Sequence, residues 1–161
     1  MIWYTDWIEQ AEYLASKEDG RPKEASLRRS VSTAYYALFH ELNRTVANAL
    51  VGSSTSWETY TPMYRMVDHL AAKEFFKRLQ NRGSEDFKLL GAAVAEIGTS
   101  FVQLQDERLR ADYNPEPYPH RRQDVVELIA QAKDSAVKLD GLSSELKLAL
   151  AVRLLAKPKR K

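Results

Sequence analysis

The sequence predicts an all-α protein, and three observations lead to that prediction. Apolar residues recur at steps of three and four along most of the chain, a spacing that places them on one face of an α-helix. No segment shows the alternation of apolar and polar residues that is typical of a β-strand. Glycine, proline and short polar residues cluster between the periodic segments, where turns are needed. We therefore expect an antiparallel bundle of four long helices with one or two short helices.

The composition narrows the protein class further. A chain of 161 residues with 44% hydrophobic residues is long enough for one domain with a substantial core, which we expect to span residues 1–156. The net charge is only +2, so contact with nucleic acid requires local clusters of basic residues. The chain contains no cysteine, which excludes disulfides and thiolate metal sites. The basic tail, residues 157–161, is expected to be disordered.

Secretion and membrane insertion are not expected. No apolar run approaches the roughly 20 residues that span a bilayer. The first ten residues carry Asp6 and Glu9 and lack the basic region of a signal peptide. Together with the absence of cysteine, this predicts a cytoplasmic protein with no membrane partner.

Two helices are predicted in the first third of the chain. The first covers about residues 6–17, with Asp6 and Glu9 spaced as a capping box, and ends at the turn residues 19–22. The second covers about residues 24–50. Its predicted core positions, which recur at helical spacing, are Leu27, Val31, Ala34, Tyr35, Leu38, Leu42 and Val46.

Two further helices are predicted after a polar loop at residues 52–56. Thr61 and Pro62 supply an N-cap and a first-turn proline, so a third helix is expected from there to about residue 81. The fourth helix covers about residues 87–113, and Gly91 and Gly98 within it favour close helix packing. Its apolar stripe consists of Leu90, Val94, Ile97, Phe101 and Leu104.

The last third of the chain predicts an extended connector and two helices. Three alternating prolines exclude a helix at residues 114–119. A fifth helix is expected at about residues 121–139 and a short sixth one at about residues 144–156. The core positions expected on the fifth helix are Val125, Ile129, Ala132, Ala136 and Leu139.

Arg108 and Asp112 continue the apolar stripe of the fourth helix. Arg108 stands four residues after Leu104, and Asp112 follows one turn later. Because burying an unpaired charge is costly, either this end of the helix leaves the core or the two charges pair in a cleft. The second possibility predicts a ligand-binding site that contains Arg108, Arg110, Asp112 and Tyr113.

A polar face on the second helix is another candidate for binding. Arg29, Thr33, Tyr36, His40 and Arg44 follow at steps of three and four, nearly opposite the core positions. Such a face is either merely solvated or, with an aromatic ring and an imidazole between arginines, a polar dimer interface or a phosphate-binding wall. If this face binds a ligand, Arg29, Tyr36 and His40 are also ligand-binding residues.

The other two histidines give weaker signals. Arg65 and His69 are predicted one turn apart on the third helix, which is more typical of a surface or structural pair than of catalysis. His120 is followed by Arg121 and Arg122 at a helix start, which forms either an exposed basic turn or an anion site. The sequence shows no metal-ligand spacing and no glycine-rich phosphate loop, so neither a metal nor a cofactor is expected.

Two segments together resemble the HEPN family of helical domains. Residues 25–40 read ASLRRSVSTAYYALFH, similar to that family's second helix with its Arg-rich start and its Ala-Tyr-Tyr-Ala-x-Phe run. Residues 108–113 read RLRADY, similar to the Arg-x-x-Ala-Asp-Tyr signature of one branch. The likeness covers roughly residues 5–140.

The resemblance implies a bundle of four to six helices that forms a two-fold dimer. Many members are metal-independent ribonucleases, often toxins that pair with a nucleotidyltransferase antitoxin. Their active forms carry an arginine followed, after four to six residues, by a histidine, and no histidine stands at that distance from Arg108 or Arg110. Asp112 and Tyr113 occupy that place. A carboxylate beside an arginine is a poorer acid and base near neutral pH than an imidazole.

Three functions stay open at this point. The favoured one is a dimeric HEPN-like module that binds RNA or a nucleotide and acts with a partner protein, plausibly a nucleotidyltransferase, in a toxin–antitoxin or defence system. The second is a metal-independent ribonuclease that combines Arg108 or Arg110 with His40 or His120. The third is a structural adaptor without a ligand, in which the Arg–Asp pair and the tyrosines build the dimer.

Overall fold

A computed structural model describes residues 1–156, which form seven α-helices and no strand. In chain order the helices are α1 (Tyr4–Ser16), α2 (Glu24–Val51), α3 (Trp57–Tyr64), α4 (His69–Leu79), α5 (Glu85–Tyr113), α6 (Arg122–Asp140) and α7 (Ser144–Leu155). The all-α prediction is confirmed for this part of the chain. The basic tail at residues 157–161 lies outside the described residues, so the expectation of disorder there stays a prediction.

The long helix α2 lies at the centre of the molecule and packs against α1, α3, α5, α6 and α7. All seven core positions predicted on it are buried. The order of the contacts along each pair shows that α1 and α2, α2 and α5, and α5 and α6 run antiparallel. The central helix therefore presents side chains to several neighbours at once, which explains why so little of its surface is solvated.

The apolar stripe on α5 is buried as predicted, with each of its five residues at most 2% exposed. By length and composition alone α5 could cross a membrane, but the core helix of a soluble protein meets the same criteria, and α5 packs against α2, α4 and α6. Gly98 allows the close approach of α4, because a Cβ added there would lie 2.6 Å from Phe76 Cδ1. Close packing at Gly98 is therefore confirmed.

Residues 57–79 form two helices instead of the single helix predicted from Thr61. α3 begins at Trp57, so Pro62 lies inside the helix rather than in its first turn. α3 ends at Tyr64, and α4 begins after Asp68, whose carboxylate accepts hydrogen bonds from the backbone N–H groups of residues 70 and 71, both at 2.9 Å. The prediction was wrong because Asp68, a strong N-cap, starts a new helix at that point.

Two local predictions are also corrected. α1 begins at Tyr4 with Trp3 at the N-cap and no side-chain cap, so Asp6 and Glu9 do not form a capping box. Gly91 does not serve packing, since no atom lies within 4 Å of the place where its Cβ would stand. It adopts φ 78° and ψ 176° and interrupts the helical backbone of α5. Only glycine adopts this conformation readily, so Gly91 produces a kink.

Two partly buried arginine side chains bind the loops to the helix ends. The guanidinium of Arg28 donates hydrogen bonds of 2.5–3.1 Å to four main-chain carbonyls, those of Arg110, Ala111, Asn114 and Glu116. Arg122 donates in the same way to the carbonyls of Ala15, Glu18 and Gly20. Carbonyls at a helix end have no partner within the helix. Arg28 fixes the connector 114–119 against α2, and Arg122 fixes the end of α1 and the turn after it against the start of α6.

Candidate functional site

Arg108 and Asp112 form an ion pair near the end of α5. Arg108 Nε lies 3.1 Å from Asp112 Oδ2, and the two side chains are 13% and 22% exposed. The contact is electrostatic, because Nε makes no well-aligned hydrogen bond. Ser32 on α2 donates a hydrogen bond to the same carboxylate oxygen at 3.1 Å. Of the two possibilities for these charges, the structure shows the paired one, partly enclosed between α5 and α2.

The guanidinium of Arg108 is surrounded by three tyrosine rings. Its Nη2 donates a hydrogen bond of 2.7 Å to the hydroxyl of Tyr36. Its Cζ lies 5.3 Å from the ring centre of Tyr36, 5.6 Å from that of Tyr113 and 5.9 Å from that of Tyr35, all within cation–π range. Burial disfavours the charge, but Tyr36 and Asp112 outweigh burial and the pKa of the guanidinium is raised. Arg108 is thus a fully charged group held in place.

His69, the first residue of α4, contacts Tyr35, one of these three tyrosines. Its Nδ1 is 2.6 Å from the hydroxyl of Tyr35, and its ring stacks on Phe39 with the centres 3.8 Å apart. Burial lowers the pKa of His69, and the positive charge of Arg108 lowers it further. The imidazole is therefore neutral at pH 7. One of its ring nitrogens can then donate a hydrogen bond, and the other can accept one.

His40 on α2 has a similar environment. Its Nδ1 is 2.8 Å from the hydroxyl of Tyr64, and its ring lies 4.8 Å from the ring of Trp7. Burial lowers the pKa of His40, and the neighbouring His69 contributes in the same direction. Both histidines are thus neutral, partly buried and bonded to a tyrosine.

A cleft of about 680 Å³ opens beside the two histidines, between α2, α3 and α4. This volume lies within the range of small-molecule sites. Buried residues of its wall include Phe39, Asn43, Tyr60 and Val67, and half-buried ones include His40, Tyr64 and His69. Exposed residues at its rim include Trp57, Arg65, Met66 and Asp68. The cleft therefore combines an aromatic wall with a polar rim.

Asn43 is the unusual residue of this wall. It is 3% exposed, and its side-chain oxygen Oδ1 is enclosed and accepts no hydrogen bond from the described residues. A buried acceptor without a partner costs about 1–3 kcal/mol, so native proteins rarely keep one without a role. Asn43 is thus a buried polar residue of the cleft wall whose side-chain oxygen has no donor among the described residues.

Only His40, among the predicted site residues, lines this cleft. Tyr36 lies behind the wall, with its ring centre 6.1 Å from that of His40 and 6.0 Å from that of His69. Arg108 lies further from the cleft and contacts Tyr36. Arg108, Tyr36, His40 and His69 therefore form one continuous cluster. Two of them, His40 and His69, line the cleft.

The other predicted site residues lie away from the cleft. Arg110 is exposed and its Nη1 is 3.4 Å from Glu107, while Tyr113 is 69% exposed. Arg29 is exposed as well. Asp112 reaches only the neighbourhood of Arg108 and Ser32.

The polar face predicted on α2 is not a single outer face. Thr33 is 6% exposed, and Arg44 pairs with the buried Glu41 at 2.7 Å and with Asp140 at 2.6 Å. The face was expected opposite the core, but α2 is covered on several sides, so most of these polar groups serve contacts between helices.

The basic turn at residues 120–122 is used for internal contacts. His120 Nε2 lies 2.6 Å from Glu107 Oε2, and the guanidinium of Arg122 binds the carbonyls after α1. The backbone N–H of Arg121 donates to Asp124, which caps the start of α6. His120 and Arg122 thus have partners within the protein, and the anion site considered for this turn stays a prediction.

Sequence reasoning missed His69, Asn43 and the aromatic residues of α3 as parts of a site. The sequence predicts Arg65 and His69 on one helix, whereas Arg65 is the C-cap of α3 and His69 is the first residue of α4. Asn43 was not considered because a single amide in a helix gives no signal. The sequence feature that could have indicated this site is the high density of aromatic residues in residues 57–64.

Within residues 1–156 no group of three or more acidic or histidine side chains is placed to hold a metal ion.

Comparison with known proteins gives no further guide to the function. No protein-family model, curated protein or solved structure matches the chain, so its function has to be inferred from the chemistry of the cleft.

Proposed function

We propose that this protein is a HEPN-like helical module that binds a nucleotide, free or as a unit of single-stranded RNA, in the cleft between α2, α3 and α4. The observation that carries the proposal is the combination, in one cleft, of aromatic rings, a buried amide whose oxygen has no donor, and an exposed arginine at the rim. A nucleotide presents the matching groups: a flat base, hydrogen-bonding atoms at the base edge, and a phosphate.

The aromatic residues supply a surface for the base. Trp57 and Tyr60 lie 5.6 Å apart, Tyr60 and Tyr64 6.2 Å, and the Tyr64 ring is stacked with that of His40 at 6.0 Å. This row runs from the rim of the cleft to its wall. Every base has a π-face, and stacking on an aromatic side chain contributes roughly 1–3 kcal/mol per base.

Two features of the charge distribution in the cleft suit a nucleotide. The two imidazoles inside the cleft are neutral, because burial lowers the pKa of both His40 and His69. An uncharged base can therefore enter without meeting a buried charge. Arg65 at the exposed rim offers a guanidinium, which binds phosphate through paired N–H donors.

The proposal also includes a dimer and a partner protein. The antiparallel pairing of α1, α2, α5 and α6, together with the resemblance at residues 25–40 and 108–113, supports a HEPN-type four-helix bundle with short additional helices. Members of that family usually form two-fold dimers and often pair with a nucleotidyltransferase, and we propose the same for this chain. A monomer at micromolar concentration in light scattering would contradict the dimer.

Tryptophan fluorescence and calorimetry test the binding directly. Trp57 is 59% exposed at the rim, so a base stacked on it will quench its emission. Titration with mononucleotides and with short single-stranded RNA separates the free nucleotide from the polymer as the ligand. The absence of both quenching and heat up to millimolar concentrations would overturn the proposal.

Two variants and one control locate the site. Trp57→Ala should weaken binding roughly 5- to 150-fold, the loss expected for one stacking contact. Arg65→Ala should weaken the binding of a nucleotide more than that of its nucleoside, because only the nucleotide carries a phosphate. Arg82→Ala is the matched control, since Arg82 is exposed beyond the opposite end of α4. Equal affinities in all three variants and the wild type would place the ligand elsewhere.

A ribonuclease is the second candidate, and the presence of two histidines in one cleft favours it. A neutral imidazole can act as the base for a ribose hydroxyl, but protonation of the leaving oxygen needs a charged one. The lowered pKa of His40 and His69 therefore predicts cleavage that rises as the pH falls below neutrality. His40→Ala, His69→Ala and Arg108→Ala should each abolish it. Cleavage that persists in all three variants would come from a contaminating nuclease.

The third function, a structural adaptor without a ligand, would be favoured by a protein that forms a dimer but binds no nucleotide and cleaves no RNA.

A further inference from the structure

The hydrogen bond between Tyr35 and His69 has a direction that follows from burial. Tyr35 is 0% exposed, and its hydroxyl oxygen lies 2.6 Å from Nδ1 of His69. The hydroxyl makes no other hydrogen bond with residues 1–156. If Nδ1 carried a proton and donated it, the hydroxyl hydrogen of Tyr35 would be buried without an acceptor, which is a costly arrangement. The hydroxyl therefore donates, and Nδ1 accepts.

This direction fixes which nitrogen of His69 carries the proton. A neutral imidazole has one protonated nitrogen, so Nε2 bears the hydrogen when Nδ1 accepts. The ring is held in place, because it stacks on Phe39 with the centres 3.8 Å apart while Tyr35 binds Nδ1. Nε2 makes no hydrogen bond with residues 1–156, and it is not among the enclosed polar atoms that lack a partner. Because His69 lines the cleft, its Nε2–H is a donor accessible from the cleft.

The other imidazole of the cleft is not fixed in this way. His40 Nδ1 lies 2.8 Å from the hydroxyl of Tyr64, but Tyr64 is only half-buried and itself lines the cleft. The hydroxyl hydrogen of Tyr64 can turn to water, so either direction of this bond leaves both groups with a partner. The protein thus decides the protonated nitrogen of His69 and leaves that of His40 open.

We propose that His69 binds the nucleotide as a neutral hydrogen-bond donor through Nε2–H, and that Tyr35 is the positioning residue that keeps it in this form. The inference rests on the proposed nucleotide-binding function and adds the chemistry of the ligand group at His69. That group is a hydrogen-bond acceptor, such as a phosphate oxygen or a base carbonyl. In this form Nε2 has no lone pair to take a proton from a ribose hydroxyl. In the ribonuclease candidate that task would therefore fall to His40.

Nitrogen NMR of the ligand-free protein tests the position of the proton. Protonated and unprotonated ring nitrogens have different chemical shifts, and the chain has only three histidines to label. The signals of His69 are those that are missing from the spectrum of His69→Gln. At neutral pH we expect an unprotonated Nδ1 and a protonated Nε2. A proton on Nδ1 would overturn the inference.

Tyr35→Phe tests the direction of the hydrogen bond. A bond donated to Nδ1 stabilises the neutral imidazole, so its loss should raise the pKa of His69, whereas loss of a bond donated by Nδ1–H would lower that pKa. Arg108 and Asp68 also act on the pKa of His69, but both remain in the variant. Tyr13→Phe is the matched control, because Tyr13 is 60% exposed and should leave the pKa unchanged. A pKa that falls or stays the same in Tyr35→Phe would overturn the role of Tyr35.

Titrations followed by the same NMR signals test the contact with the ligand. Uridine and adenosine, their 5′-monophosphates and inorganic phosphate are the probes. A ligand that accepts a hydrogen bond from His69 should shift the Nε2 signal and leave Nδ1 unprotonated. A shift with the monophosphates and inorganic phosphate, but not with the nucleosides, identifies a phosphate oxygen as the acceptor. A shift of equal size with the nucleosides identifies the base or the ribose.

The double variant Tyr35→Phe/His69→Phe measures what the donor contributes to binding. It removes both partners of the buried hydrogen bond and keeps two aromatic rings, a replacement that can be nearly neutral for stability. Calorimetry should show the monophosphates binding roughly 2- to 13-fold more weakly, the loss expected for one hydrogen bond. The melting temperature shows that the variant remains folded. An unchanged affinity would overturn the ligand contact of His69.

The outcomes separate this inference from the proposed function. If nucleotides bind in calorimetry while the Nε2 signal of His69 stays in place, His69 is not the donor and nucleotide binding stands. If no nucleotide binds, the proposed function is wrong and the ligand contact of His69 with it. The spectra of the ligand-free protein decide the position of the proton in either case.

Discussion

Arg108 on α5 donates a hydrogen bond of 2.7 Å to the hydroxyl of Tyr36 on α2, and this contact connects the ion pair of α5 with the histidine cleft. The ring of Tyr36 lies about 6 Å from the rings of both His40 and His69. The charge of Arg108 adds to burial in lowering the pKa of His69. A cation on one helix thus influences the protonation of a group that lines a cleft on the other side of a tyrosine ring.

Removal of the Tyr36 hydroxyl should destabilise the fold. Tyr36→Phe leaves a partly buried guanidinium without its acceptor, and hydrogen bonds to charged groups contribute about 1.5–3 kcal/mol. We expect the free energy of unfolding in urea to fall by about that amount. Tyr113→Phe is the matched control, because the Tyr113 ring also faces Arg108 but is 69% exposed. Losses of equal size in the two variants would show that the hydrogen bond contributes nothing specific.

The adjacent residues Arg28 and Arg29 should differ sharply on substitution. Arg28→Gln removes a guanidinium that binds four carbonyls around the end of α5, and we expect a loss of about 2–4 kcal/mol in the free energy of unfolding. Arg29→Gln should change stability by less than about 0.5 kcal/mol, because Arg29 is exposed. Chemical denaturation measures both. A stable Arg28→Gln variant would mean that the connector holds its place without this side chain.

Stability should fall as the medium becomes acidic. Burial lowers the pKa of His40 and His69 in the folded protein, whereas histidines in the unfolded chain titrate near 6.5. The unfolded state therefore binds more protons, and the free energy of unfolding drops as the pH falls from about 6.5 through the folded-state pKa values. Melting temperatures between about pH 8 and pH 5.5 measure this slope.

A double variant shows whether the histidines cause the slope. His40→Gln/His69→Gln should have a shallower pH dependence of stability than the wild type, because both groups with a lowered pKa are then absent. Burial raises the pKa of the Glu41 carboxyl, which acts in the opposite direction, but Glu41 is present in every variant and cancels in the comparison. A double variant with an unchanged slope would refute the assignment to His40 and His69.

Much of the fold could be predicted because helical periodicity is a local property of the chain. The stripes on α2, α5 and α6 and the break at the three prolines follow from the spacing of residues. The single helix predicted from Thr61 was wrong, because a proline signal and an N-cap at Asp68 compete and only the packed chain decides between them. The kink at Gly91 needed a φ angle that composition does not reveal.

The candidate site depended on the tertiary structure far more than the helices did. The sequence alone determined that Arg108 and Asp112 stand on a core stripe, four residues apart, and that His40 shares α2 with Tyr36. Only the packed tertiary structure decided that His69 and His40 line the same cleft and that the side-chain oxygen of Asn43 is left without a donor in its wall. The physical reason is that helical spacing is set within a few residues of chain, whereas burial, pKa shifts and missing hydrogen-bond partners arise between segments far apart in the sequence.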